Sequence, residues 1–355
     1  MGVFTTILIT VLVFGFLIFI HEFGHYITAR IFHVTINEFS IGMGPRLVSR
    51  TSKKTGITYS LAAFPIGGFV AMAGEDGLDD DPLVTEDPNG FDKKPAWQRF
   101  IITFAGAFVN VVAGIIAMVI LTSMIKIGNT EIVDFLDPIE QGYEVSSEDS
   151  GLMEGDVIVK VDGKRVRILD QLSYEIMRRG YEPIDVTVIR DGEEKTISDV
   201  VFPSISDQGQ SFGAMDFRVR AVDKNFGSVL RYSWSKSALI IRMCWESLYD
   251  LITGRYTIAA VSGPVGMSSA IGEAASDGPQ TLLYLIGLIS INLGVMNLMP
   301  IPALDGGRLI TILFEMVTRK KVPAKIEGIV NAVGLSLLLA FSFFILIKDI
   351  IQIAL

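Results

Sequence analysis

Four long stretches of this chain contain no Asp, Glu, Lys or Arg, and they constrain its fold more than any other feature: residues 1–20, 100–125, 278–304 and 328–347. A helix needs about 20 residues to cross roughly 30 Å of hydrocarbon, and each stretch is long enough. Half of the 355 residues are apolar and only 19% are charged, against about 25% in a typical soluble domain. We therefore predict a polytopic α-helical membrane protein with four transmembrane helices.

The first stretch has a second interpretation, a signal peptide. However, it lacks a basic leading segment and a small-residue cleavage site, and it runs directly into His21 and Glu22. Both missing features are hallmarks of secretory signals, so we favour a retained helix.

Charge and cysteine content exclude several functions. The 30 basic and 39 acidic residues give a net charge of −9, and nucleic-acid binding requires clustered Lys and Arg instead. We therefore expect no nucleic-acid partner. The single cysteine, Cys244, excludes an intramolecular disulfide and a cysteine-based zinc cluster.

Basic residues near the helix ends predict the orientation in the membrane. They concentrate between the first two spans and between the last two, and such loops lie on the cytoplasmic side. The N-terminus, the segment from about Lys126 to Gln280 and the C-terminus would then be extracytoplasmic. The basic residues are Arg30, Arg46, Arg50, Lys53, Lys54, Lys93, Lys94 and Arg99 in one loop, and Arg319, Lys320, Lys321 and Lys325 in the other.

The first predicted cytoplasmic loop has two parts. From His33 to Ala73, short strand-like runs alternate with Gly and Pro, which predicts a small β-sheet against the membrane. Glu75 to Asp92 contains eight acidic residues, a composition typical of a solvated linker.

The extracytoplasmic segment begins with a small α+β domain. Residues 131–203 alternate apolar and polar positions, with hairpin turns expected at Asp162-Gly163 and Asp191-Gly192 and a helix from Leu169 to Arg179. The run from Gly151 to Gly163 resembles the core of a bacterial PDZ domain, a family that binds extended peptide ends. From Asn225 to Ile252, an amphipathic helix at the membrane interface is predicted, with packing on this domain as the alternative.

His21-Glu22-Phe23-Gly24-His25 is an H-E-x-x-H sequence. Positions i and i+4 share one face of a helix, so both imidazoles can bind one Zn²⁺ while Glu22 acts on its water. Two structural histidines are the alternative, but burying them with a carboxylate in a spanning helix is costly without a ligand.

A catalytic zinc usually has three protein ligands, and Asp305 is our candidate for the third. It ends the third apolar stretch beside two prolines and two glycines, and broken backbone at membrane depth usually lines a cavity. The alternative is that Asp305 caps the helix that follows. His33 lies among strand-like residues, which favours a structural role.

These motifs together resemble the site-2 protease family of intramembrane zinc metalloproteases, in its bacterial regulated-intramembrane-proteolysis branch. The resemblance rests on H-E-F-G-H, on N-L-M-P-I-P-A-L-D-G-G at 297–307, on the stretches at 65–72, 94–99 and 262–266, and on the PDZ-like domain. Ala107 stands where relatives usually carry proline. The resemblance implies cleavage of single-span membrane proteins within the bilayer of the bacterial cytoplasmic membrane, after another protease has removed their outer domains.

The expected mechanism has Glu22 as the general base and Asn297 as a donor to the oxyanion. Gly67, Gly68, Phe69 and Val70 would bind unwound substrate as an added strand, with a tight hairpin turn as the equally weighted alternative. A peptide or part of the substrate would bind the PDZ-like domain. An anti-sigma factor, a signal-peptide remnant and a pheromone precursor all suit such a site.

The predicted architecture is thus four transmembrane helices with a cytoplasmic-side, membrane-associated β-sheet and an inserted extracytoplasmic PDZ-like α+β domain. Two other functions stay open: a zinc protease that cuts outside the bilayer with Glu315 as third ligand, and a membrane PDZ scaffold with structural zinc. The predicted segments are 1–32 (first span), 33–73 (β-sheet), 74–97 (acidic linker), 98–125 (second span), 127–205 (PDZ-like domain), 206–277 (amphipathic interface segment), 278–318 (third span) and 326–355 (fourth span).

Overall fold

The computed structural model describes residues 2–75, 87–137, 145–207, 210–255 and 261–354. Its helices are α1 (Val3–Ile31), α2 (Ala96–Met124), α3 (Leu169–Arg179), α4 (Phe226–Thr253), α5 (Pro264–Asp277), α6 (Pro279–Asn297), α7 (Asp305–Thr318) and α8 (Ala324–Ala354). Its strands are β1 (Ile36–Thr51), β2 (Thr58–Met72), β3 (Ile127–Phe135), β4 (Val157–Val161), β5 (Lys164–Arg165), β6 (Ile184–Arg190), β7 (Glu193–Val200), β8 (Ser204–Asp207), β9 (Gln210–Gly213) and β10 (Phe217–Val222).

Four of the described helices, α1, α2, α6 and α8, are long and apolar enough to cross a membrane. This confirms the prediction of an integral membrane protein with four apolar helices. The chain divides into two compact units, one formed by Met1–Ala117 and Ile240–Leu355 and the other by Met118–Leu239. Most of the predicted acidic linker, residues 76–86, lies outside the described residues.

The third predicted span is not one continuous helix. Helix α6 ends at Asn297, and α7 begins only at Asp305. Proline lacks a backbone N–H and restricts the residue before it, so Pro300 and Pro302 interrupt the helical hydrogen bonds. Ala303, directly after Pro302, has a left-handed conformation, with φ of +72°. The break places Asp305 in the first turn of a new helix.

Helix α5 was not anticipated by the sequence analysis. It begins with Pro264 at its first position and ends before Gly278. Ile271 of this helix packs with Val13 and Leu17 of α1 and Ile289 of α6. The helix is short and its periodicity weak, so packing against apolar neighbours, rather than amphipathic pattern, explains its formation.

The predicted sheet between α1 and α2 is present, but its four short strands are joined into two long ones. Residues 38–41 of β1 pair with 58–61 on one side and with 68–71 on the other. Gly42 and Gly44 have φ of +88° and +89°, which lets β1 bend and continue, since glycine adopts such angles without strain. Residues 68–72 pair only with β1 among the described residues, so they form a sheet edge.

The second unit is an α+β domain. Its main sheet has the strand order β10-β3-β4-β6-β7, with β5 paired to β4, around a core that includes Ile158, Val186 and Leu172 of helix α3. Helix α3 has the predicted limits. Both predicted Asp-Gly turns have positive φ at both central residues, as type I′ hairpins require. Because β10 belongs to this sheet, the domain extends beyond the predicted limit at residue 205. The assignment of this domain as PDZ-like stays a prediction.

An ion pair joins Asp156, the residue before β4, to Arg190 at the end of β6. Asp156 is fully buried and accepts two hydrogen bonds of 2.7 Å from Arg190, and its other contacts include the backbone N–H of Met153 at 2.9 Å. The pair raises the pKa of the Arg190 guanidinium through its hydrogen bonds to Asp156. A buried charge pair of this geometry depends on both partners.

We therefore expect Asp156→Ala to lower the free energy of unfolding of this domain by about 3 kcal/mol, since it removes the carboxylate that balances the charge of Arg190. Pulse proteolysis of the full chain in detergent measures the effect. The control is Asp134→Ala, which removes the exposed pair with Arg218 and should change stability by less than about 1 kcal/mol. Equal effects of the two substitutions would contradict this account of the buried pair.

Candidate metal centre

The two histidines of the H-E-x-x-H sequence lie on one face of α1, with their Nε2 atoms 3.2 Å apart. His25 is buried, and its Nδ1 lies 2.9 Å from the carbonyl oxygen of Ile102 on α2. A carbonyl can only accept, so Nδ1 of His25 carries the proton and donates it. The lone pair of His25 is therefore on Nε2, which faces His21.

Asp305 completes this cluster from the start of α7. Its Oδ2 lies 3.3 Å from Nε2 of His21 and 3.4 Å from Nε2 of His25, and donor atoms of these three residues all lie within 4.8 Å of one another. Oδ2 is buried and makes no hydrogen bond to any residue that the structure describes. The cap residue of α7 is Leu304, so the capping alternative for Asp305 does not hold.

Two glycines allow α1 and α2 to approach at this point. A Cβ on Gly24 would lie 2.5 Å from the carbonyl oxygen of Ala105, and a Cβ on Gly106 would lie 2.2 Å from Nε2 of His25. Both separations are far below van der Waals contact, so neither position accepts even a methyl group without displacement. The ring of His25 thus occupies the space that a side chain at position 106 would need.

Two asparagines surround the other imidazole. Nδ1 of His21 lies 3.2 Å from Nδ2 of Asn110 on α2 and 3.4 Å from Nδ2 of Asn297 at the end of α6. Asn297, chosen from the sequence, is therefore in the cluster. The break after α6 allows both Asn297 and Asp305 to reach the same imidazole.

A cavity of about 390 Å³ opens beside the cluster, and Glu22 lines it together with the edge strand of the sheet. Gly68 contacts Glu22 so closely that a Cβ there would lie 3.0 Å from Cγ of Glu22. Phe69 and Val70 also line the cavity. Gly67 does not; it has φ of +82° and lies against Met43.

Glu315, the alternative candidate for the third zinc ligand, lies in a different environment from Asp305. Oε1 of Glu315 accepts a hydrogen bond of 2.6 Å from Arg99, so its carboxylate has a cationic partner of its own. His33 has φ of +55° in the turn after α1, and it is not part of the metal-ligating group among the described residues.

Sequence reasoning missed several residues of the site. Thr103 and Arg308 line the cavity, Gly106 makes room for His25, and Asn110 contacts His21. Asn110 carried a signal, because it is a polar residue inside the uncharged stretch 100–125, and polar residues within a spanning helix are usually functional. Nothing in the sequence indicated that the carbonyl of Ile102 would accept from His25.

Comparison with known proteins agrees with this geometry. Residues 9–341 match the profile of peptidase family M50. A candidate zinc metalloprotease of Fusobacterium nucleatum is 34% identical over 97% of this chain and 98% of the relative. A candidate zinc metalloprotease of Clostridium acetobutylicum is 33% identical over 98% of each chain. Zinc metalloprotease RasP of Geobacillus kaustophilus is 27% identical over 96% of each.

The match to the family covers the spanning helices, the sheet and the α+β domain alike, and it agrees with an H-E-x-x-H sequence whose histidines meet the carboxylate of Asp305. The chain therefore belongs to peptidase family M50, the site-2 protease family, and is a zinc-dependent intramembrane metalloprotease.

Proposed function

We propose that this protein is an endopeptidase that cleaves the transmembrane segments of single-span membrane proteins, with His21, His25 and Asp305 as its zinc ligands. One observation carries the proposal: two imidazole nitrogens and a buried carboxylate oxygen without a hydrogen-bond partner converge within 3.2 to 3.4 Å of one another. Three such donors with one position left open are typical of catalytic zinc.

The residues fit the metal. Tetrahedral coordination at about 2.0 to 2.2 Å separates neighbouring donor atoms by about 3.3 to 3.6 Å, close to the separations among these three atoms. An anionic oxygen in a buried site is costly unless a cation or hydrogen bond satisfies it. A dication among these donors would stabilise Oδ2 of Asp305.

Glu22 is the proposed general base. It lines the cavity beside the three ligands, so it can take a proton from water there and return it to the leaving amine. When bound, zinc lowers the pKa of a coordinated water to about 7 and polarises the scissile carbonyl. The Asn297 amide, at the same cluster, would donate a hydrogen bond to the developing oxyanion.

The edge strand at residues 68–72 is the proposed substrate-binding element. A helical substrate hides its carbonyls in internal hydrogen bonds, so an unwound segment needs new partners before cleavage. The edge faces the cavity that contains Glu22, and Gly68 keeps its backbone close to that residue. An unwound substrate can pair with this edge by strand addition.

We place the active site near the cytoplasmic side of the bacterial cytoplasmic membrane and the α+β domain outside, because Lys and Arg concentrate in the two loops predicted as cytoplasmic. The domain would bind a peptide or part of the substrate as a PDZ domain does and exclude substrates with bulky outer domains. Anti-sigma factors and signal-peptide remnants are the proposed substrates.

Replacing Glu22 by Gln tests the proposed base. We expect cleavage of a tagged single-span substrate in detergent to fall by about 100-fold or more, because general-base catalysis typically contributes that much. Zinc content should stay at the wild-type level. Glu154→Gln, at an exposed position in the α+β domain, is the matched control and should cleave normally. Retained cleavage by Glu22→Gln would rule out this base.

Replacing Gly106 by Ala tests the packing around His25. The added Cβ would lie 2.2 Å from Nε2 of His25, so the ring must leave its position and zinc should bind at least about tenfold more weakly. Gly15→Ala on α1, whose Cβ would meet nothing within 4 Å, is the control. Zinc titration monitored by chelator competition measures both. Wild-type affinity for Gly106→Ala would argue against His25 as a ligand.

Strand addition can be tested on the substrate instead of the enzyme. A synthetic substrate with one N-methyl amide at a time loses one backbone donor at each position. Because alternate residues of a strand face its partner, we expect kcat/KM to fall about fivefold at every second position, as for the loss of about 1 kcal/mol. The same peptides without methylation are the controls. Losses without alternation would argue for another binding mode.

A further inference from the structure

Asn110 is a fully buried side chain of α2 with no role yet in the proposed function. It lies in a helix that spans the membrane by length and composition. Placing a polar side chain in such a helix costs free energy, so the side chain usually has a specific partner. Its partner is Nδ1 of His21, 3.2 Å from Nδ2 of Asn110.

The hydrogen bonds of the Asn110 amide are incomplete in this orientation. Its Oδ1 is buried without a partner among the described residues, although a carboxamide oxygen can accept two hydrogen bonds. A half turn of the amide about its Cβ–Cγ bond exchanges Oδ1 and Nδ2. Oδ1 would then lie beside Nδ1 of His21, in reach of a ring N–H.

The chemistry of a ligating imidazole favours the turned orientation. A neutral imidazole that binds a metal through Nε2 carries its proton on Nδ1, and that proton needs an acceptor. An amide nitrogen cannot accept it, whereas an amide oxygen can. We propose that Asn110 is a positioning residue: its Oδ1 accepts the Nδ1 proton of His21 and directs the Nε2 lone pair toward Asp305. This inference rests on the proposed zinc ligation by His21.

The other histidine has the equivalent arrangement. Nδ1 of His25 donates to the carbonyl oxygen of Ile102, also on α2. Ile102, Gly106 and Asn110 are spaced four residues apart, so they follow one another along one face of the helix. This face of α2 therefore offers an acceptor at Ile102, space at Gly106 and a second acceptor at Asn110, and these contact the two imidazoles in the reverse of their order along α1.

A second contact of Asn110 supplies a control. Its backbone carbonyl accepts a hydrogen bond of 2.7 Å from Oγ of Ser290 on α6, and this bond does not involve the side-chain amide. Asn297 is the rival acceptor, since its amide lies 3.4 Å from the same Nδ1. Its distance is the longer of the two, and its Oδ1 is not among the orphaned buried atoms.

The test is the affinity for Zn²⁺, measured by chelator competition in detergent, for Asn110→Leu, Asn110→Asp, Ser290→Ala, Asn297→Leu and His21→Ala. We expect Asn110→Leu to bind zinc about 10- to 100-fold more weakly, the usual effect of removing a partner of a ligating histidine. Asn110→Asp keeps an acceptor and should restore most of the affinity. Ser290→Ala should bind zinc as the wild type does, and Asn297→Leu should lose less affinity than Asn110→Leu does.

Each outcome separates this inference from the proposed function. Suppose that His21→Ala loses zinc. The positioning role is then overturned if Asn110→Leu binds zinc as the wild type does, or if Asn110→Asp binds it as weakly as Asn110→Leu. It is also overturned if Asn297→Leu loses affinity and Asn110→Leu does not. Wild-type affinity in His21→Ala would instead overturn the ligand assignment itself. Thermal unfolding of each variant accompanies the titrations, and rescue by Asn110→Asp excludes a general folding defect.

Discussion

The rest of the site depends on one buried atom, the carboxylate oxygen Oδ2 of Asp305. An ionised oxygen without a hydrogen-bond partner costs several kcal/mol in an apolar environment, so the fold tolerates it only where a cation can balance it. The chain brings it to the histidines by interrupting a helix between Asn297 and Asp305. The prolines that cause the interruption therefore help to build the candidate metal centre, although they offer no ligand to it.

Close helix packing fixes the other half of the centre. The backbones of α1 and α2 meet at Gly24 and Gly106 without room for a Cβ, and this brings the carbonyl of Ile102 within 2.9 Å of His25. In a membrane there is little hydrophobic force between helices, so small residues that allow close contact contribute much of the association. Packing and ligand orientation thus depend on the same few positions.

Much of this organisation follows from local sequence. The uncharged stretches predicted the spanning helices, the Asp-Gly pairs predicted two hairpin turns, and the spacing of His21 and His25 predicted their shared face. Helix α5 and the extension of the α+β domain through β10 were not foreseen, because each depends on packing or pairing with distant segments. The same holds for Gly106 and for the Ile102 carbonyl: backbone atoms and missing side chains leave no pattern in a sequence.

The contact at Gly24 and Gly106 also limits how a substrate can reach the centre. A helix with its side chains is about 10 Å across, whereas the seam between α1 and α2 does not admit a methyl group at these positions. Parting that seam would separate His25 from Ile102, the acceptor that fixes its tautomer. In the described arrangement, the contact between α1 and α2 at Gly24 and Gly106 therefore offers a helical substrate no passage.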